Sequence, residues 1–538
     1  MPRMPCFALP PRRAAAFAAA WVGLALMGCA NLPDALTSTA RPGQPPIAQH
    51  SALPPSVQRA LAAAGVAAET LAAVALPLGH AGTPWGHRAE AVMQPGSTMK
   101  LVTSVVALDR LGPNHRGHTT LRSAAVLDGG VLRGDLWLEG GADPDLGIAQ
   151  FWTLLMELRA LGVKEIAGDV VVDRRLFNPA RADLDVLPFD DAPEFGYNAV
   201  PDALGLAGGL LPIDLSATPD GSVLARIVPP LQGVEVASRM AGIEAPCADW
   251  SEVWQAPYVR EAAGGALTVE LRGNFPRGCT RRLALNVIDR QRLTEALFRT
   301  LWAGLGGQLG GRVREAGSAD TSGEAAGMRE LARRLSRPWG EVLRSMNKAS
   351  DNPHTRLLYL SIGAAEAARL PAPGPPAAHA AAPTTSTTTA ALAERAVRRW
   401  FAEQRIATPG LVLDNGSGLS RSERVTPLTL AQMLQVAWAG RYASDLIASL
   451  PLAGEDGTMR LRLRQSPAAG WARLKTGTLR NVAALAGYVR DAEGRPWAVA
   501  MMINHERASA ARPALDALVD AMVRSARPGA WAVAEGHP

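Results

Sequence analysis

Apolar residues fall along this chain in distinct textures, and each texture predicts different elements. Ser56 to Ala64 carries a short helical pattern, and Leu71 to Leu78 reads as an apolar strand with Ala89 to Met93 as its predicted hairpin partner. A helix carrying Ser97 follows directly. Leu101, Val105, Val106 and Leu108 make its continuation apolar on nearly all sides, which is the signature of a helix inside a core. Ser97 is thus expected at the entrance of a central buried helix.

The texture changes from about Leu121 to about Arg312. Short alternating runs appear at Gly134 to Glu139, Gly168 to Asp173, Val223 to Val228 and Leu267 to Arg272, punctuated by Gly, Pro and Asp. This pattern predicts β-rich material inserted into a domain that continues on either side of it. Helical texture resumes at Arg329 to Ser350 and continues beyond. Residues 372–391 are a Pro/Ala/Thr stretch, read as a surface loop. Three strands are predicted at Ala472 to Leu479, Ala484 to Arg490 and Trp497 to Asn504, with a turn at Asp491 to Arg495. An amphipathic helix from Arg512 to Arg527 closes the pattern. Early strands, a late strand meander and flanking helices predict an α/β (α+β) sandwich around an antiparallel sheet.

Composition narrows the class. The 538 residues are 48% hydrophobic and 19% charged, enough apolar material for several cored domains. The formal net charge is +6, and Arg3, Arg12 and Arg13 contribute three of those charges from within a predicted leader. The remainder is too weak a bias for a nucleic-acid partner. Residues 1–28 show arginines followed by an apolar run from Ala14 to Met27, the organisation of a signal peptide and too short for a membrane span. Leu26-Met27-Gly28-Cys29 resembles a bacterial lipobox, which makes Cys29 the expected lipidation site and the periplasmic side of a membrane the expected location. Plain export and an N-terminal anchor are the competing readings. Residues 29–55 read as a flexible tether. Export also bears on the cysteines. Cys6 leaves with the leader, so Cys247 and Cys279 remain in an oxidising compartment and are expected to pair, against a competing reading of two buried thiols. Such a bridge contributes about 3–4 kcal/mol on the chain-entropy model.

Three short motifs carry the chemistry: Ser97-Thr98-Met99-Lys100, Ser350-Asp351-Asn352 and Lys475-Thr476-Gly477-Thr478. Residues i and i+3 of a helix are neighbours, so the Lys100 amine reaches the Ser97 hydroxyl. A serine hydroxyl needs a base to become a nucleophile. Lysine serves only when burial or nearby cations keep part of it neutral. Ser350 is a candidate proton relay between Lys100 and a leaving amine, and Asn352 a candidate holder of Lys100 and a substrate carbonyl. Lys475 and Thr476 offer a cation and a hydroxyl to a substrate carboxylate. Gly477 removes a side chain where a substrate must come close, and the N–H groups of Ser97 and Thr478 are candidate oxyanion donors. Each motif alone has a bland reading: a chance helix, a turn or helix cap, an ordinary strand end. Together, and in this order, they describe a serine acyl-transfer site built around lysine.

With those motifs in place, the chain resembles the low-molecular-mass class C penicillin-binding proteins, the D-alanyl-D-alanine carboxypeptidase/endopeptidase family. The resemblance extends to Gly134-Asp135-Leu136-Trp137-Leu138-Glu139-Gly140-Gly141-Ala142-Asp143-Pro144, to Tyr197-Asn198, and to Asp414 through Arg421. It also takes in Gly454 through Arg460 and Ala483 to Val489. It implies a penicillin-recognising catalytic domain at 56–120 and 313–530, with two nested inserted domains at 121–312. The implied substrates are peptidoglycan stem peptides ending in D-Ala-D-Ala, cleaved by carboxypeptidase and possible D,D-endopeptidase action. β-Lactams are implied ligands, and no cofactor or metal is implied. After Asn352 the family commonly reads Leu-x-Ala-Glu, whereas this chain has Pro353-His354-Thr355-Arg356.

Two alternatives share the motifs. A serine β-lactamase-like hydrolase needs an extra carboxylate base for deacylation, for which no motif is found, and the long insertion disfavours it. A catalytically dead peptidoglycan-binding scaffold would usually have lost a motif residue, and none is missing here. A metallopeptidase is disfavoured, since the nine histidines show no H-E-x-x-H or similar ligand spacing, and His115 and His118 read as part of a polar loop.

Overall fold

The computed structural model describes residues 52–184, 186–317, 320, 327–370 and 387–530. The predicted leader, Cys29, most of the tether and most of the 372–391 stretch lie outside the described residues.

Five strands form the sheet that carries the third motif, in the order Arg473–Leu479, Val482–Arg490, Pro496–Asn504, Leu71–Pro77 and Trp85–His87. Every pairing is antiparallel. Alternation sorts the side chains into two cores. Ala72, Val74, Leu76, Ala484, Ala486 and Met502 join one buried cluster. Leu71, Ala73, Ala75, Leu485, Met501 and Ile503 join another. Helices cover both faces, which is why a period of two reads as an unbroken apolar run in Leu71 to Leu78. Helices Lys100–Arg110, Trp339–Ala349, Asn352–Ala367, Thr389–Glu403 and Pro427–Ala439 pack on the first face. Helices Pro55–Ala64 and Arg512–Arg524 pack on the second. Leu101 and Val106, on the helix behind Ser97, are fully buried. Truncating a leucine in such a position costs about 2–5 kcal/mol, so this helix is a rigid mount for the site.

The inserted region has its own core. Strands His118–Ser123, Leu136–Gly141, Val170–Asp173, Val313–Glu315 and Arg329–Leu335 share one five-stranded sheet. The strands between Leu211 and Leu285 pair among themselves in two further sheets, nested in sequence inside the first set. Two helices, Ile148–Ala160 and Arg290–Gly304, accompany them, which the alternating texture did not reveal.

Four local expectations change. The partner of Leu71–Pro77 is Trp85–His87, with Ala75 opposite Trp85, and not the 89–93 segment. Arg88 adopts a left-handed φ of 50°, which ends the strand and turns the chain away. Met93 makes only an isolated bridge to Val425. Arg329–Leu335 is a strand paired with His118–Ser123, not a helix. Its arginines suit a sheet edge, where long charged side chains reach water. Through that pairing, the sheet of the alternating region reaches from His118 to Leu335, beyond 121–312 at both ends. The end of the Thr-rich stretch is helical: Thr388 caps helix Thr389–Glu403 by accepting from the Ala391 N–H at 3.2 Å.

Candidate active site

Pro95 and Gly96 turn the chain into a short 3₁₀ segment, Gly96–Met99, that runs straight into helix Lys100–Arg110. Gly96 has a φ of +51°, and a Cβ there would lie 3.2 Å from the backbone nitrogen of Thr478. Both facts favour glycine, which adopts that φ at no steric cost. The i, i+3 spacing then sets Lys100 Nζ 3.0 Å from Ser97 Oγ. Lys100 is fully buried and also donates to Asn352 Oδ1 and to the Ser417 carbonyl, each at 2.6 Å. Burial pushes its pKa down to about 7, outweighing the opposing charges of Glu423 and Asp351, while Arg356 pushes the same way as burial. Near neutral pH, then, a large part of Lys100 is an uncharged amine touching the Ser97 hydroxyl.

The second motif sits at the junction of two helices. Ser350 ends helix Trp339–Ala349 in a left-handed conformation with φ of 60°. Asp351 begins helix Asn352–Ala367 as its N-cap, accepting from the His354 N–H at 2.8 Å. The turn-and-cap reading of Ser-Asp-Asn therefore holds, and it is the same turn that brings the motif to Lys100. Pro353 stands in the first turn, where its missing N–H breaks no intrahelical bond. Asn352 uses both ends of its amide, accepting from Lys100 and donating to the Tyr197 carbonyl at 3.2 Å. That second bond ties the catalytic part to the inserted region. Ser350 Oγ accepts from Lys475 Nζ at 2.9 Å, so its bonded lysine is Lys475 and not the expected Lys100.

The third motif lies on Arg473–Leu479, the edge strand of the sheet. Lys475 is fully buried and donates also to the Thr476 carbonyl at 2.9 Å. Burial, and then the like charge of Lys100, push its pKa well below the usual lysine range. Thr476 Oγ1 donates to Thr458 Oγ1 at 2.8 Å, and Thr478 is exposed. Gly477 does more than admit a substrate. A Cβ there would lie 2.4 Å from the Pro95 carbonyl oxygen and 3.2 Å from the Ser97 nitrogen. Its missing side chain lets the strand and the Pro95–Ser97 turn come together.

All three motifs thus converge, although they are far apart in sequence. Several groups around them carried no assigned role in the sequence reading: the Ser417 carbonyl, Gly418, Glu423, Thr458 and the Tyr197 carbonyl. All but Glu423 fall in segments already singled out, and two of them act through the backbone, where residue type is a poor signal. A Cβ on Gly418 would lie 2.0 Å from the Gly96 carbonyl oxygen, so the 414–418 loop presses directly on the Gly96–Ser97 turn. Beside the second motif is a cavity of about 370 Å³. Pro144, Tyr197, Asp202 and His354 are among its walls, which reach Ser350 and Asn352 but not Ser97 or Lys475. Away from the site, in the inserted region, Cys247 and Cys279 form a disulfide with Cα atoms 5.5 Å apart.

Known proteins share this arrangement of chain. A D-alanyl-D-alanine carboxypeptidase of Actinomadura sp. (strain R39) is 29% identical over 419 residues, covering 74% of this chain and 71% of its own. The D-alanyl-D-alanine carboxypeptidase DacB of Haemophilus influenzae is 27% identical over 424 residues, covering 77% and 80%. The crystal structure of penicillin binding protein 4 (dacB) from Haemophilus influenzae has the same fold. It matches with a TM-score of 0.67 at 22% identity, over 85% of this chain and 97% of that one. The model of the D-Ala-D-Ala carboxypeptidase 3 (S13) family matches residues 55–524, and the chain belongs to that family.

Proposed function

We propose that this protein hydrolyses the D-Ala-D-Ala ends of peptidoglycan stem peptides through an acyl-enzyme on Ser97. The observation that carries this reading is the 3.0 Å contact between Ser97 Oγ and a buried Lys100 whose pKa lies near 7. Lys100 takes the hydroxyl proton as Ser97 Oγ attacks the carbonyl carbon of the penultimate D-Ala. The N–H groups of Ser97 and Thr478 receive the oxyanion, and losing one such donor typically costs roughly 10²–10³ in rate. The C–N bond then breaks. The departing D-Ala nitrogen takes a proton from Ser350, which recovers one from Lys100, so Lys100 is neutral again when water arrives; the Lys475 ammonium, bonded to the Ser350 oxygen, keeps its proton. A water molecule, deprotonated by Lys100, attacks the ester and frees both the shortened peptide and Ser97. Lys475 and Thr476 hold the terminal carboxylate. When the departing amine belongs to a neighbouring stem peptide, the same chemistry is a D,D-endopeptidase reaction. β-Lactams enter as acylating mimics of the same terminus.

Such a substrate is met outside the cytoplasm, and the leader and Cys29 support a periplasmic protein held by a lipid. Among the described residues no helix is long and apolar enough to cross a membrane. A fluorescent penicillin tests the site. Stable labelling of the wild type that disappears in Ser97→Ala is expected. Rapid turnover of the label would point instead to a β-lactamase, and no labelling of folded wild type to a binding scaffold. Muropeptide product analysis then separates carboxypeptidase from endopeptidase action.

A further inference from the structure

One charged group beside this site has no part in the steps above. Glu423 is a fully buried carboxylate at the back of the Lys100 pocket. Its oxygens accept three backbone N–H bonds from one loop: Gly416 at 2.8 Å, Gly418 at 2.8 Å and Asp414 at 3.3 Å. The loop it gathers meets the reacting residues at two points. The Ser417 carbonyl accepts from Lys100 Nζ at 2.6 Å, and Gly418 lies against the Gly96–Ser97 turn. A third contact comes from the nucleophile helix, where Thr103 Oγ1 donates to the Gly416 carbonyl at 2.7 Å. Among the described residues no arginine or lysine forms an ion pair with Glu423. A buried carboxylate held only by amide N–H groups is costly compared with a neutral side chain, so its charge calls for an explanation.

Resting on the acyl-enzyme reading, we propose that Glu423 is a positioning residue for the base. It folds the 414–418 loop around its own carboxylate, so that the Ser417 carbonyl and a buried negative charge both face Lys100. Electrostatics agree with the geometry. Burial, helped by the like charge of Asp414, raises the Glu423 pKa to about 7 against the three N–H bonds that oppose the rise. Glu423 in turn raises the Lys100 pKa against burial. Base and carboxylate are therefore linked through the charge of Glu423. The other charged or titratable groups facing the pair are Asp351 and Arg356 on the second-motif helix, Tyr359 on the same helix, Asp414 in the loop, and Lys475 on the edge strand.

The sign follows from the base's task. Acylation needs neutral Lys100, so its rate climbs with pH through the Lys100 pKa. Replacing Glu423 by neutral glutamine removes a charge that favours the ammonium, so that climb moves to lower pH. It also turns one acceptor oxygen into a donor facing an N–H, which loosens the loop. The test is the pH profile of acylation by a fluorescent penicillin for wild type, Glu423→Gln and Glu423→Asp. Expected for Glu423→Gln is a fall of about 10-fold in the plateau rate, with the rising limb displaced to lower pH. Expected for Glu423→Asp, which keeps the charge but shortens the reach, is a slowed plateau with the limb at the wild-type pH. A folded Glu423→Gln protein whose limb has not moved would overturn the proposal. Should that variant not fold, a wild-type plateau in Glu423→Asp would overturn it. Wild-type labelling at Ser97 is the control. Its absence would sink the acyl-enzyme reading itself, whereas intact labelling with an insensitive Glu423 sinks only this inference.

Discussion

Lys100 and Lys475 are both fully buried and belong to one site, yet their surroundings are opposite in kind. Lys100 faces three acceptors, Ser97 Oγ, Asn352 Oδ1 and the Ser417 carbonyl, and the charges of Glu423 and Asp351 favour its ammonium. Lys475 faces the Ser350 hydroxyl and the Thr476 carbonyl, and the charge acting on it is the like charge of Lys100. Among the described residues no carboxylate forms an ion pair with Lys475. Burial is the largest cause depressing both pKa values, but nearby carboxylates offset it for only one of them. The lesson concerns division of labour. In the proposed reaction, the lysine that changes protonation is the one tuned by fixed neighbours. The lysine proposed to meet an anion has no carboxylate partner among the described residues, and the substrate carboxylate would provide one.

The hardest blow to this contrast is removal of the tuned lysine. Lys100→Ala should lower the rate of acylation by a fluorescent penicillin by about 10²–10⁴-fold, the range that general-base catalysis supplies. Circular dichroism should show the fold retained, because the helix keeps its apolar anchors Leu101, Val102 and Val106. Acylation of the variant at the wild-type rate would refute the base assignment.

A smaller but more selective effect is expected at Lys475. Two peptides ending in D-Ala-D-Ala, one with a free carboxylate and one amidated, should differ by roughly 10²-fold in kcat/KM for the wild type, the scale of a desolvated charge pair. In Lys475→Ala the free acid should lose that advantage and react no faster than the amide. If the variant slows both peptides equally, Lys475 serves the chemistry and not the carboxylate, and the contrast between the two lysines collapses.

Much of this site was legible in the chain because its parts are local. Ser97 and Lys100 need only helical spacing to meet, and the edge strand of Lys475 follows from its alternation with the next two strands. Fold class was legible for the same reason, since the apolar run of Leu71 to Leu78 and the three late strands announce a sheet. What escaped depends on long-range geometry. Ser350 and Lys475 are 125 residues apart, and nothing local says that they bond to each other. Gly477 reads as room for a substrate until the Pro95 carbonyl is found against it. Glu423 looks like a surface glutamate among serines and arginines, and only the folded loop shows its oxygens turned inward. The strand at Arg329–Leu335 was misread because an edge strand rich in arginine carries little periodic signal.

The smallest expected effect sharpens the comparison at Asp351, whose charge favours the ammonium of Lys100. Asp351 is shared with His354, where Nδ1 lies 2.9 Å from Asp351 Oδ2 and Nε2 lies 2.9 Å from the Pro144 carbonyl. Both partners are acceptors, so the ring satisfies both only when both nitrogens carry protons. Burial works against that charged form, but the hydrogen bond and charge of Asp351 outweigh it, with help from Asp145, and the His354 pKa is raised. A histidine raised in the folded state contributes stability that is complete below its unfolded pKa of about 6.5 and is lost as pH rises through the folded value. Urea unfolding of wild type and His354→Gln should therefore differ more at pH 6 than at pH 9, by roughly 1 kcal/mol, because the pair is partly exposed to water. The same substitution removes a positive charge from beside Asp351. Its carboxylate then acts on Lys100 less opposed, and the rising limb of acylation should move slightly to higher pH, opposite in direction to Glu423→Gln. A limb that stays in place would mean that His354 braces the second motif without reaching the base.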